Sequence, residues 1–335
     1  MQIIFLNASR ATPAIRPRLI NASSGGAVKI MPNNNMFKLD VPTARGAVLN
    51  GVLFRPQKER MADTVMIAIT GIHGNFYSNP FYYTIGDTLN AGNIDFIYAQ
   101  TNDAFGEIPI VNANTGEQEV IGSWNERFIY TDEDIEAYLN FAEQEGYEHI
   151  ILAGHSLGAN KVIYYLSRHH DVRVEHFFLL SPANLDYMMS CVSEREKQII
   201  MEMMKRGEEN KMLPFPFMGW VEFIAGTAYD WQFSGMLNNV HTAQASQSIQ
   251  ASQSIKNGDF SQAEKITHTG ALLVGTYDNF TDGDPAEFLR NINNHMPTAS
   301  QNKLIFIEKT GHTYQMKNQE LADDILRQIQ EWRNA

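Results

Sequence analysis

Apolar residues along the chain fall into short continuous runs that alternate with longer stretches of helical spacing. The runs TVMIAIT (64–70), IDFIYAQ (94–100) and GALLVGT (270–276) are typical of strands that are buried on both faces of a sheet. Between them, TDEDIEAYLNFAEQEG (131–146) starts with a capping Thr and acidic residues and ends at a Gly, which predicts a helix. This alternation predicts an α/β protein with a mostly parallel central sheet flanked by helices.

Further elements complete this pattern along the rest of the chain. We predict strands at 36–41, 47–56, 148–153, 174–182 and 303–309, and helices at 79–91, directly after 156, at 285–293 and at 318–333. No strand pattern is evident between 187 and 262, where the chain is helix-like. The sequence therefore predicts an N-terminal extension (1–35), a core in two parts (36–186 and 263–335) and a helical insertion (187–262) before the last two strands.

Charge and composition narrow the classes of partner and the cellular location. A net charge of −12 argues against a nucleic-acid partner, because a phosphate backbone requires a basic protein face. The single cysteine, Cys191, leaves no internal disulfide, so folding does not depend on an oxidising compartment. No segment approaches the about 20 apolar residues of a membrane span, and the apolar run in MQIIFLNASR is short for a secretory signal. We expect a cytoplasmic protein.

A serine stands between two glycines where a predicted strand meets a predicted helix. Residues 154–158 read GHSLG, which matches the G-x-S-x-G pattern of a nucleophile elbow. Glycines on both sides allow a tight turn that lifts the Ser156 hydroxyl clear of the sheet. Ser156 is therefore the candidate nucleophile.

A serine hydroxyl is a weak nucleophile at neutral pH, so it requires a base and an acid that orients the base. Asp278 follows the strand-like run at 270–276, and His312 follows the run at 303–309. The order Ser, Asp, His, with each residue just beyond a strand, is that of α/β-hydrolases. Other acids remain open as alternatives to Asp278, namely Asp282 and Asp284 in the same loop and Asp186 after the previous strand.

Acyl transfer also requires N–H donors for a developing oxyanion. Leu157, the residue after the candidate nucleophile, can offer its backbone N–H. The loop after the strand at 64–70 reads TGIHGNFYSN, and its His-Gly pair is similar to the oxyanion loop of many hydrolases. We expect Asn75 to supply the second N–H, with Phe76 as the next candidate.

From about residue 36 to residue 335 the chain resembles members of the α/β-hydrolase superfamily. The segments GIHGNFYSNPF, ERFIYTDEDIEAYLNF and LAGHSLGANKVIYYLS are further similar to a group of hydrolases with a gNFY loop and a GHSLGa-K-yYL elbow. The resemblance implies a lidded serine hydrolase that acts on an ester or a related acyl bond. The chain departs from the group after the strand at 94–100, where TNDAFGE stands in place of Asn-Arg-Gly-His-Asp.

The predicted insertion is rich in flexible apolar side chains. It contains eight of the fifteen methionines, together with Trp220 and Trp231. An insertion at this place in the α/β-hydrolase fold lies over the catalytic serine, and Met side chains adapt to apolar ligands. We therefore interpret 187–262 as a lid and expect Met188, Met218, Trp220 and Trp231 to contact an apolar substrate.

Three functions compete at this point. The leading hypothesis is a serine hydrolase that cleaves a small-molecule carboxylic ester with an apolar acyl group through an acyl-enzyme intermediate. The same residues would serve a thioesterase or an acyltransferase that acts on a carrier-bound acyl group. The third hypothesis, a non-catalytic ligand-binding protein on the same fold, is disfavoured because such proteins usually lose a triad member. We expect no cofactor, no metal site and no nucleic-acid partner, and the oligomeric state does not follow from the sequence.

Overall fold

Eight strands lie side by side in one sheet in the computed structural model of the chain, which describes residues 35–56, 62–75, 78–237 and 260–335. In chain order the strands are β1 (Met36–Pro42), β2 (Val48–Phe54), β3 (Thr64–Ile69), β4 (Asp95–Ala99), β5 (Ile108–Val111), β6 (Gln118–Ile121), β7 (His149–His155), β8 (Val174–Leu180), β9 (Thr269–Gly275) and β10 (Lys303–Ile307). The order across the sheet is β1-β2-β4-β3-β7-β8-β9-β10, and β5 pairs separately with β6. The β1–β2 and β2–β4 pairs are antiparallel, and the other pairs of the large sheet are parallel.

Helices cover both faces of this sheet. The described helices are α1 (Phe81–Ala91), α2 (Thr131–Glu145), α3 (Leu157–Arg168), α4 (Leu185–Ser190), α5 (Glu194–Lys205), α6 (Ala225–Phe233), α7 (Pro285–Asn294) and α8 (Asn318–Arg333). Apolar side chains of α2, α3 and α7 belong to one buried cluster, and those of α1 and α8 belong to another. The predicted fold, a mostly parallel sheet flanked by helices, is confirmed.

The continuous apolar run of β3 follows from its place in the middle of the sheet. Val65, Ile67 and Ile69 belong to the cluster with α2, α3 and α7, whereas Met66 and Ala68 belong to the cluster with α1 and α8. Because successive side chains of a strand point to opposite faces, a strand that is covered on both sides has no polar position. The pair β5–β6 was not predicted, since its strands are short and mostly exposed.

Helix α2 ends as predicted but begins differently. Gly146 ends the helix in the left-handed region with φ 87°, which glycine adopts without strain. Thr131 was predicted to cap the helix, yet it is the first helical residue and makes no side-chain cap. The acidic first turn instead pairs with an arginine side chain: Glu133 and Asp134 both accept hydrogen bonds from the Arg45 guanidinium, at 2.7 and 2.8 Å.

Within the described residues, the predicted insertion contributes most members of a third apolar cluster, which we call the apolar cluster of the insertion. Helices α4, α5 and α6 contribute to it, together with a loop that contains two isolated bridges, Met212–Ile224 and Phe217–Val221. Residues 238–259 of this insertion and residues 1–34 of the predicted N-terminal extension lie outside the described residues. None of the described helices has both the length and the apolar character that a membrane crossing requires.

The start of α3 approaches the end of β3 backbone to backbone. A Cβ atom on Gly158 would lie 2.2 Å from the Ile69 carbonyl oxygen and 2.6 Å from that of Thr70, and both are far inside van der Waals contact. A Cβ atom on Gly154 would lie 2.2 Å from the Gly158 carbonyl oxygen. Only glycine allows this approach at the two positions.

We expect Gly158→Ala to lower the free energy of unfolding by about 1–3 kcal/mol, the usual cost of overpacking, although alanine favours a helix over glycine. Gly106→Ala is the matched control, since a Cβ atom on Gly106 would have no other atom within 4 Å. Urea unfolding of both variants and the wild-type protein measures the difference. Equal stabilities of the two variants would contradict the close contact.

Candidate active site

Ser156 lies between β7 and α3 in a strained conformation. Its φ of 57° and ψ of −128° are unusual for a residue with a side chain. Its backbone N–H donates to the Leu180 carbonyl oxygen at 3.0 Å, which ties the turn to the end of β8. The turn thus holds Ser156 at the carboxyl edge of the parallel strands, where open sheets of this type bind ligands.

The structure brings Ser156, His312 and Asp278 into one hydrogen-bonded chain. The His312 Nε2 atom lies 2.8 Å from Ser156 Oγ. On the other side of the ring, His312 Nδ1 lies 3.0 and 2.9 Å from the two carboxylate oxygens of Asp278. Asp278 is buried and the His312 side chain is only 11% exposed, so water is largely kept from the contact between these two residues.

Local contacts fix the Asp278 carboxylate toward the ring. Its Oδ1 atom accepts the Phe280 N–H at 2.9 Å, and the Phe280 ring lies 4.3 Å from the His312 ring between centroids. Of the alternative acids, Asp282 follows Asp278 in the same loop, and Asp186 belongs to the first turn of α4. Of these three acids, it is Asp278 whose carboxylate bonds the His312 ring.

A second histidine, His155, supports the backbone of His312. Its Nε2 atom donates to the His312 carbonyl oxygen at 2.8 Å, and its ring packs edge-on against Phe81. Burial, together with the nearby His312 ring, lowers the pKa of His155 to about 3. His155 is therefore neutral at physiological pH and acts as a hydrogen-bond donor.

The loop after β3 places its N–H groups differently from the sequence-based expectation. The Asn75 N–H, which was expected to face the nucleophile, donates to Ser78 Oγ at 3.1 Å, and Phe76 lies outside the described residues. Closer to the nucleophile is Gly71, since a Cβ atom there would lie 2.9 Å from Ser156 Cβ and 3.3 Å from the Leu157 nitrogen. The next residue, Ile72, was not predicted to belong to the site, and its N–H makes no hydrogen bond within the described residues.

A buried cluster of charges, which was not predicted from the sequence, surrounds Lys161 on α3. Lys161 is 0% exposed, and its Nζ atom contacts Asp103 Oδ1 at 3.0 Å, Thr101 Oγ1 at 3.2 Å and the Glu126 carboxylate. Glu126 is only 2% exposed and pairs with Lys161 inside the protein.

Burial and neighbouring carboxylates change the protonation equilibria of this cluster. Burial, reinforced by the charge of Asp103, raises the pKa of Glu126 to about 8, although Lys161 opposes the shift. Burial alone would lower the pKa of Lys161, but the nearby Asp103 and Glu126 outweigh it and raise that pKa. Lys161 therefore stays charged, while Glu126 holds a proton more firmly than an exposed carboxyl group.

The four insertion residues that were expected to contact substrate fall into two groups. Trp231 and Met188 are buried inside the apolar cluster of the insertion, where Trp231 packs against Phe223 at 5.3 Å between ring centroids. Trp220 is 48% exposed, with its ring 6.0 Å from that of His73, and Met218 is half-buried.

The apolar cluster of the insertion extends to the residues around Ser156. Leu157 is one of its buried members, and Ile72 and Phe280 pack against it. Leu157 follows Ser156 in the sequence, Ile72 follows Gly71, and Phe280 belongs to the loop that carries Asp278. The insertion is thus in direct apolar contact with the surroundings of the candidate nucleophile.

Within the described residues, no group of three or more His, Cys, Asp or Glu side chains is arranged to hold a metal ion. The hydrogen-bonded chain can nevertheless move a proton, since His312 bridges a hydroxyl group and a carboxylate. This arrangement is suited to activating a serine for attack on an acyl group.

Comparisons with known proteins show the fold of the chain. No protein-family model matches the sequence, and none of the curated proteins matches it. Solved structures do match, at low identity. Est1E from Butyrivibrio proteoclasticus with bound ferulic acid is 15% identical, covers 89% of this chain and 100% of its own, and gives a TM-score of 0.58.

Two further structures give the same picture. The alpha/beta hydrolase GrgF from Penicillium sp. sh18 is 14% identical, covers 88% of this chain and 96% of its own, and gives a TM-score of 0.56. The esterase Pf2001 from Pyrococcus furiosus is 13% identical, covers 88% of this chain and 92% of its own, and gives a TM-score of 0.52. Together with the strand order, these likenesses show that the chain has the α/β-hydrolase fold.

The raised pKa of Glu126 leads to a prediction about stability and pH. Between the ordinary value of 4.5 and about 8, the folded protein holds a proton on Glu126 that the unfolded chain has lost. The contribution of this group to stability is therefore complete below pH 4.5 and declines as the pH rises toward 8. We expect Glu126→Gln to remove this decline, so the stability of the variant relative to the wild-type protein should increase from about pH 5 to about pH 8.

Urea unfolding at several pH values in this range measures the effect. Glu117→Gln is the control, because Glu117 is exposed in the connection between β5 and β6. A difference between Glu126→Gln and the wild-type protein that does not change with pH would show that Glu126 ionises normally.

Proposed function

We propose that the protein is a serine hydrolase that cleaves a carboxylic ester through an acyl-enzyme intermediate. The observation that carries this proposal is the hydrogen-bonded chain of Ser156, His312 and Asp278, in which Nε2 of the histidine lies 2.8 Å from the serine hydroxyl. The fold supports it as well, because esterases are among the structures that share it.

In the proposed reaction, Ser156 Oγ attacks the acyl carbon while His312 Nε2 takes its proton. The protonated histidine then gives this proton to the leaving alcohol as the acyl–oxygen bond breaks. A water molecule, deprotonated by the same histidine, attacks the acyl-enzyme, and the proton returns to Ser156 as the acid leaves. Asp278 keeps a proton on His312 Nδ1 and stabilises the imidazolium ion that forms in each step.

The negative charge on the acyl oxygen requires two N–H donors. We assign one to Leu157, which is the first residue of α3 and whose N–H has no partner within a helix. For the second donor, Ile72 replaces Asn75, because the Asn75 N–H already donates to Ser78 while that of Ile72 is free within the described residues. Gly71 allows the two donors to approach each other.

An apolar acyl group fits the surroundings of Ser156. Ile72, Leu157 and Phe280 all belong to or pack against the apolar cluster of the insertion. Met218 and Trp220 remain partly exposed on the insertion and are the residues that we assign to substrate contact, with the insertion as a lid. Each methylene group buried there would contribute about 0.8 kcal/mol.

The test is hydrolysis of p-nitrophenyl esters from acetate to palmitate. We expect release of p-nitrophenol by the wild-type protein, with kcat/KM rising up to about fourfold for each added methylene until the pocket is full. Ser156→Ala should abolish the activity, since it removes the nucleophile.

Three outcomes would count against parts of this proposal. Activity that Ser156→Ala retains would exclude this serine as the nucleophile. A rate that falls steadily from acetate onward would exclude an apolar acyl pocket. Hydrolysis of acyl thioesters, or transfer to an added alcohol, at a far higher rate than ester hydrolysis would favour the thioesterase or acyltransferase hypothesis.

The role of the acid is tested by Asp278→Asn. The amide cannot hold the required proton on His312 Nδ1, so we expect kcat to fall by about 10⁴-fold with the fold intact. Asp282→Asn, in the same loop, is the matched control and should leave kcat within about threefold. A larger loss in Asp282→Asn than in Asp278→Asn would show that the acid has been assigned to the wrong residue.

A further inference from the structure

Lys161 is fully buried on the helix that begins at the candidate nucleophile. Its ammonium group bonds Asp103 Oδ1 at 3.0 Å and Thr101 Oγ1 at 3.2 Å, both from the segment after β4. It also bonds Glu126, from the segment that precedes α2. None of these groups takes part in the proposed proton transfers.

Asp103 connects the cluster by a hydrogen bond to the loop that carries Gly71 and Ile72. Thr101 Oγ1 donates to Asp103 Oδ1 at 2.6 Å, which orients the carboxylate toward Lys161. The carbonyl oxygen of Asp103 accepts the His73 N–H at 2.8 Å. His73 has φ 56°, so this bond holds a strained residue directly after Ile72.

The segment that carries Glu126 is bonded to the same loop and to the insertion. Ser123, three residues before Glu126, has its Oγ 2.7 Å from His73 Nε2. The carbonyl oxygen of Trp124 accepts the Ile224 N–H at 2.9 Å, just before α6. Segment 123–127 also reaches α6 through an ion pair between Arg127 and Asp230.

Buried charges such as those of this cluster are a costly way to fill the interior of a protein, which indicates a role beyond packing. A buried ion pair costs desolvation that an apolar pair of similar volume would avoid. One carboxylate oxygen each of Asp103 and Glu126 is buried without a hydrogen-bond partner among the described residues. Because displacement of Lys161 or Asp103 would leave a buried charge unpaired, and displacement of Glu126 would leave its buried carboxyl group without its hydrogen bond, the cluster resists relative movement of the three segments that it joins.

We propose that Lys161 is a positioning residue, which fixes the start of α3 relative to the loop of Gly71 and Ile72 and to α6 through its contacts with Asp103 and Glu126. The inference rests on the proposed function, because the spacing of the Leu157 and Ile72 N–H groups sets how well an oxyanion is bound. Lys161 itself does not touch the substrate.

The test compares Lys161→Met with Lys303→Met, which removes the same charge from an exposed position on β10. Steady-state kinetics on p-nitrophenyl butyrate should show an about 10- to 100-fold lower kcat for Lys161→Met, somewhat less than the about 10²–10³-fold that loss of an oxyanion donor costs. KM should change by less than about threefold, and Lys303→Met should match the wild-type protein.

Hydrogen exchange provides a readout that does not depend on activity. The backbone amides of His73 and Gly74, which donate to Asp103 and Gly71, should exchange at least about tenfold faster in Lys161→Met, whereas those of β10 should exchange as in the control. A role in stability alone would lower the unfolding midpoint but leave kcat of the folded protein and the relative exchange of these two amides unchanged.

Ser123→Ala provides a second, milder variant in case Lys161→Met does not fold. It removes the bond to His73 from the same segment and keeps all charges, so kcat should fall about 3- to 10-fold at unchanged KM. The proposal is overturned if folded Lys161→Met keeps the wild-type kcat or the wild-type exchange rate of the His73 and Gly74 amides. If Lys161→Met does not fold, the same result in Ser123→Ala overturns it.

Failure of the proposed function gives a different pattern. In that case the wild-type protein hydrolyses no ester and a fluorophosphonate probe does not label Ser156, while the exchange experiment still decides whether Lys161 holds the loop. Conversely, an active wild-type enzyme with unchanged exchange in the variants leaves the hydrolase proposal intact and removes only the positioning role.

Discussion

The start of helix α3 lies nearer to the end of strand β3 than any side chain between them would allow. Gly158 fills this contact, since a Cβ atom there would lie 2.2 Å from the Ile69 carbonyl oxygen. Beside this contact, Ser156 has a positive φ, and its hydroxyl lies 2.8 Å from His312 Nε2. Leu157 lies beside Gly71 at the same place. The turn that carries the candidate nucleophile is therefore built into the closest backbone packing between β3 and α3.

The sequence predicts those parts of the structure that depend on local patterns. Ser156, Asp278 and His312 could be proposed as site residues because each follows a run of apolar residues that is long enough to indicate a buried strand, and the structure brings the three side chains together. Ile72 could not, because β3 ends at Ile69 and the conformation of the following loop depends on contacts with Asp103 and Ser123. Lys161 is part of the GHSLGa-K-yYL pattern, but its burial could not be predicted for a similar reason: its partners come from distant loops, and helical periodicity counts a lysine as an exposed residue.

Two histidine rings lie side by side at the site. The rings of His155 and His312 are 5.0 Å apart between centroids, a distance at which two positive charges would repel strongly. Burial keeps His155 neutral, with a pKa of about 3, so it does not oppose an imidazolium ion on His312. In the proposed mechanism this leaves Asp278 to stabilise the charge, and His155 to fix the backbone of the base.

In the insertion, the residues that form the apolar cluster are different from those that are exposed at the surface. Trp231 and Met188 are enclosed in its apolar cluster, while Trp220 is half exposed at its surface. Selection, natural or in the laboratory, could therefore alter the outward residues without disturbing the packing beneath them. In the proposed hydrolase, such an arrangement would allow the substrate range to change by a few surface substitutions, while Ser156 and its partners stay unchanged.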